Sequence, residues 1–61
     1  MTMWDRFYVE YENEMIFSSD RKKDCIEYVK GEVEYYKSVD LYEPGEYKVY
    51  DRAERKVVYT E

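Results

Sequence analysis

The chain of 61 residues is 41% charged and 20% aromatic, with a formal charge of −5. That length allows one domain, which buries only about 60% of the surface its unfolded chain exposes. A lone cysteine, Cys25, and the lack of histidine exclude an intramolecular disulfide and the usual four-ligand zinc sites.

High charge alone would suit a disordered chain, but such chains are poor in aromatic and β-branched residues. Nine tyrosines against two glycines and one proline describe a folded domain instead. The negative balance disfavours phosphate backbones and anionic membranes as ligands, since both need basic patches. It favours basic partners, among them proteins whose normal ligand is nucleic acid. The plainer account is that net charge keeps a small protein in solution. The stretch MTMWDRFYVEY has neither a basic leader nor an apolar run, and no segment nears the roughly 18 residues of a membrane span. With a reduced cysteine, this predicts a cytoplasmic protein, in the host cytoplasm if phage-encoded.

A first strand is expected at about residues 4–11, where Phe7, Val9 and Tyr11 alternate with Arg6, Tyr8 and Glu10. Glu12-Asn13-Glu14 interrupts it before a second strand at about 15–18. A three-residue loop sets Tyr11 opposite Met15 and Val9 opposite Phe17, gathering the apolar side chains on one face. That register turns Tyr8 and Ile16 to the other face.

The helix, at about 20–38, has Ser18, Ser19 and Asp20 as sources of its N-cap oxygen. Cys25, Ile26, Val29, Val33 and Tyr36 fall within an arc of about 100°, the width of a core-facing stripe. Lys23, Glu27, Lys30 and Glu34 alternate in sign on the opposite, solvated side. A third face aligns Asp24, Tyr28, Gly31, Glu32 and Tyr35. Glycine in mid-helix costs about 1 kcal/mol against alanine, and close approach of another backbone would account for Gly31. Otherwise Gly31 is simply tolerated, and the tyrosines lie over the sheet edge with their hydroxyls in water.

Beyond the helix, Pro44-Gly45 is a type II turn signal. Strands are expected at about 46–51 and 56–60, joined by the polar stretch Asp51 to Arg55. Tyr47, Val49, Val57 and Tyr59 form their inner face, with Lys48, Tyr50 and Val58 outward. The result is an α+β domain, a single ββαββ unit over residues 1–61. Its short connections fit one antiparallel sheet with the first and third strands adjacent at the centre and the helix on one face. The second face then carries Tyr8, Ile16, Tyr50 and Val58 beside Glu10 and Lys48, more apolar surface than a solvated sheet face usually shows.

No catalysis, cofactor or metal is expected. The commonest general base is missing, and Cys25 sits on the core stripe with no histidine to activate it. No glycine-rich run precedes a helix to cradle phosphate. Aromatics on a sheet face suggest single-strand binding, but such modules back their aromatics with lysine and arginine; on the predicted outer strands acids are about as frequent as bases, and the chain is too short for the usual βαββαβ module, so no direct nucleic-acid ligand is expected.

Binding a protein is the remaining class. Tyrosine offers large contact area at low entropic cost, which makes Tyr28, Tyr35, Tyr8 and Tyr50 the candidate contacts. Gly31 lies between two of them, and Asp24, Glu32, Glu34 and Glu10 form an acidic rim; the helix face Tyr28-Gly31-Tyr35 is the first candidate site and the uncovered sheet face its rival. A carboxylate array can stand in for backbone phosphates against a basic nucleic-acid-handling enzyme. In size, acidity and Tyr/Glu/Lys richness the chain resembles the small early proteins by which phages block host enzymes or defence systems, a resemblance of style that rests on no motif. It implies an inhibitor or modulator. The competing expectation is a homodimer with a structural or regulatory role.

Overall fold

The computed structural model describes residues 5–61. Its elements run β1 (Phe7–Tyr11), β2 (Glu14–Ser19), α1 (Lys22–Ser38), β3 (Tyr47–Asp51) and β4 (Lys56–Thr60). The strands form one antiparallel sheet in the order β2-β1-β3-β4, and α1 lies across one face of it. This is the expected α+β arrangement, with the first and third strands at the centre. Trp4, at the start of the first expected strand, lies outside the described residues.

The helical stripe and the odd-numbered positions of β1 and β3 meet in the core. Phe7, Val9, Cys25, Val29, Val33, Tyr47 and Val49 are buried, with Ile26 and Tyr36 packed against them. Tyr11 lies between Tyr36, at 6.5 Å, and Tyr47, at 4.5 Å, in a three-ring stack. The Tyr47 hydroxyl donates to Glu32 Oε1 at 3.2 Å. Burial first, then the Glu32 carboxylate, pushes that phenol well above its ordinary range.

The first hairpin differs from the expected register. Its turn has two residues, Glu12 and Asn13, both at positive φ (52° and 68°), the conformation whose twist suits a tight hairpin. Tyr11 therefore pairs with Glu14 and Glu10 with Met15, while Val9 still pairs with Phe17. A bulge absorbs the difference, leaving Ile16 without an opposite number. The extra residue reverses the alternation: Ile16 packs against the core beside Phe17, and Met15 is exposed.

The second hairpin repeats the device. Val49 pairs with Tyr59 and Tyr50 with Val57, so Val58 is the extra residue. Val58 and Tyr59 pack against the core while Val57 is exposed, exchanging the expected roles of the two valines. Both bulges lie on edge strands, where they bend the strand and discourage pairing with another chain.

Helix α1 starts at Lys22 with Arg21 as its N-cap and no side-chain cap bond, later than the serine-aspartate cluster suggested. Those residues are engaged otherwise. Ser19 ends β2, accepts from the Arg21 amide at 3.2 Å and donates to Asp24 at 2.8 Å, while Asp20 accepts from the Arg6 amide at 3.3 Å. At the other end Asp40 takes φ 63°, with the Leu41 amide donating to the Tyr36 carbonyl at 2.8 Å and the Asp40 amide to Lys37 at 3.1 Å. That is the paired-bond termination usually built on glycine. Gly45, at φ 85°, fits the expected Pro-Gly turn.

Asp51 is no part of a solvated loop. It ends β3 with only 2% of its surface exposed. Arg6 donates to both of its carboxylate oxygens, at 3.0 and 2.9 Å, and the Ala53 and Glu54 amides donate to Oδ1. These donors hold the carboxyl down at about 2 and fix the turn into β4.

Candidate functional site

The open face of the sheet is built from residues whose neighbours in sequence face the core. Since Val9 and Val49 point inward, Tyr8 and Tyr50 point outward, and they are directly paired on the two central strands. Their rings meet at 5.2 Å and 46°. Pairing extends this row to Ser18 on β2 and Val57 on β4; the adjacent row is Met15, Glu10, Lys48 and Thr60.

Arg52 completes the face, and sequence reading did not single it out. Its guanidinium lies 4.5 Å from the Tyr8 ring centre, donates through Nε to the Asp5 carbonyl at 2.8 Å and reaches Met15 Sδ at 3.3 Å. An arginine stacked over a tyrosine is a sheet-face feature that only the strand register reveals, because Arg52 and Tyr8 are far apart in the chain. Ser18 Oγ donates to Asp5 at 2.8 Å at the same end. Desolvation raises the Tyr8 phenol above its ordinary range, with Glu10 adding to it. The face is therefore apolar and aromatic at its centre and nearly neutral, since Glu10 is directly opposite Lys48.

The third face of α1 divides into separate environments. Tyr28 is half-buried and stacks on Phe17 at 4.4 Å and 4°. Glu32 accepts from Tyr47, and Asp24 accepts from Ser19 and pairs with Arg21 at 3.7 Å. These three tie the helix to the sheet. Tyr35, by contrast, is 60% exposed and meets Tyr36 edge-on at 5.2 Å. Gly31 is exposed, and a Cβ built there meets nothing within 4 Å, so no backbone among the described residues requires glycine at that position. It opens on a shallow groove of about 330 Å³ between α1 and the end of β4, lined by Lys30, Val33, Glu34, Lys37 and Glu61.

No protein-family model matches this chain, and no curated protein or solved structure matches it either. Among the described residues, no three histidine, cysteine, aspartate or glutamate side chains gather as a metal site, and no helix is long and apolar enough to cross a membrane. Cys25 is fully buried, and desolvation raises its thiol above the ordinary value, which leaves little thiolate for nucleophilic chemistry.

Proposed function

We propose that the chain is a small acidic protein-binding module acting in the cytoplasm, with the open sheet face as its principal contact surface. The observation carrying this reading is the side-by-side pair Tyr8 and Tyr50, with Arg52 stacked over Tyr8 and Met15 and Val57 exposed at 53% and 46%. Tyrosine and arginine are the residue types that most often dominate interface energetics. Aromatic and apolar groups gathered on one face of so small a domain are surface that a partner can desolvate.

The net charge of −5 favours a basic partner. Together with the chain's size and composition, it supports an inhibitor or modulator of a larger nucleic-acid-handling protein, of the phage host-takeover or anti-defence kind, with carboxylates around the nearly neutral open face, rather than on it, standing in for phosphates. Catalysis, a bound cofactor and a direct nucleic-acid ligand have no part in this reading.

The self-associating alternative has one observation in its favour. A nearly neutral face with Glu10 opposite Lys48 is self-complementary under a two-fold axis. The face measures only about 19 by 17 Å from strand spacing and rise, whereas a stable dimer needs about 800 Å² from each partner. A larger protein that wraps past the sheet edge fits better.

The test uses the wild type and the Tyr8→Ser/Tyr50→Ser variant as parallel baits in one bacterial extract, after light scattering has set their oligomeric states. A basic protein held by the wild type, released as salt rises and lost from the variant, supports the proposal. Capture indifferent to both tyrosines overturns the open face as the contact. A wild-type dimer that the variant dissolves favours self-association.

A further inference from the structure

Among the described residues, the exposed large apolar side chains fall in two places. Met15 and Val57 belong to the open sheet face; Tyr35, Val39 and Leu41, exposed at 60%, 44% and 67%, lie together at the C-terminal end of α1. Tyr35 and Val39 are one turn apart on the same side of the helix, and Leu41 follows the left-handed Asp40 that ends it. None of the three is a core residue, and the backbone bonds that end the helix do not involve their side chains.

Strand direction decides what surrounds this corner. The β1–β2 turn, the start of β3 and the end of β4 come to the same end of the sheet, and the Tyr36–Tyr11 stack brings the end of α1 there too. That end carries Glu12, Glu14, Asp40, Glu43 and Glu46. Lys37, the lysine nearest the corner in sequence, has its ammonium 5.1 Å from the Tyr42 ring centre. The opposite end carries Arg6, Arg21, Arg52, Arg55 and Lys56 together with Asp5, Asp20, Asp51 and Glu54, so its charges nearly balance. The excess of carboxylates is thus at the end that holds the apolar corner.

We infer that the Tyr35–Val39–Leu41 corner is a second docking surface, one that takes a cationic amphipathic segment of a protein. Its apolar side chains would cover the corner, and its lysines or arginines would meet Asp40, Glu43 and the acids around them. The nearly neutral sheet face does not offer this charge complementarity. The inference goes beyond the open-face reading and does not depend on it.

The probe is a synthetic helical Lys/Leu peptide, with a Glu/Leu peptide of equal length as control, titrated into isotopically labelled protein and followed by amide shifts. The Lys/Leu peptide is expected to shift Tyr35, Val39, Leu41 and Glu43, and the control to shift none. Val39→Ser/Leu41→Ser should weaken binding about tenfold, the loss typical of removing interface anchors. Glu43→Lys should weaken it at low salt and matter little at high salt. All three substituted positions are exposed, so the variants stay folded, which their own amide spectra verify. Shifts centred on Tyr8 and Tyr50, binding unaffected by Val39→Ser/Leu41→Ser, or no binding would each overturn the inference. None of these would overturn the open-face proposal, which the Tyr8→Ser/Tyr50→Ser baits decide.

Discussion

The two faces of the sheet share the same strands but differ in what they ask of their residues. Among the described residues, the covered face closes on α1 with seven buried apolar side chains, and its one buried charge, Asp51, is matched by Arg6 and two backbone amides. The open face carries the same aromatic chemistry, yet Tyr8 and Tyr50 remain partly in water with a guanidinium over one of them. Tyrosine on the first face is structural; on the second it is partly exposed surface. Position relative to the helix, rather than residue type, separates the two roles.

Substitutions can break this contrast. The largest expected effect is Tyr47→Ala, which removes a 2%-exposed ring from the three-tyrosine stack and should cost about 3–5 kcal/mol in urea unfolding. In so small a domain that is enough to unfold most of the population. A loss below about 1 kcal/mol would mean that the covered face is not a packed core.

Acid should act through the same face. The Asp51 carboxyl, ordinarily at 3.8, stands at about 2 in the folded chain. It therefore contributes stability above pH 3.8 that is lost as pH falls toward about 2. Unfolding midpoints measured across that window should fall in the wild type. Asp51→Asn should be less stable at neutral pH and show a flatter acid limb. Parallel limbs would remove Asp51 from the account.

Two adjacent valines give a sharper comparison. Val58→Thr puts a hydroxyl against the core and should cost about 1 kcal/mol or more. Val57→Thr, on the open face, should stay within about 0.5 kcal/mol. Equal costs would contradict the bulge. Gly31→Ala should raise stability by up to about 1 kcal/mol, since its Cβ meets nothing. It should leave partner capture unchanged if the open face is the contact; lost capture would return the helix face to the site.

How far these features were legible in the sequence follows from their physical range. The stripe Cys25, Val29, Val33 was readable because helical periodicity is local and repeats over several turns. Strand order was readable because short connections leave few arrangements. The edge strands were misread, and for one reason. Met15-Ile16-Phe17 and Val57-Val58-Tyr59 are apolar throughout, so alternation carries no information there, and a single bulged residue reverses the faces. The open face was foreseen at Tyr8, Tyr50, Glu10 and Lys48 but wrongly assigned Ile16 and Val58. Arg6–Asp51 and Arg52–Tyr8 join residues from opposite ends of the chain, and no local pattern announces them. Ser19 looked like a cap because its hydroxyl does bond at the helix start, though from the end of a strand.

One face of the sheet is packed and the other is open. Relaxation by a soluble gadolinium chelate, read at side-chain methyl groups in dilute solution, tests this most directly. Strong attenuation is expected at Met15 and Val57, and protection at Ile16 and Val58. Equal attenuation within each pair, or the reverse order, would contradict it.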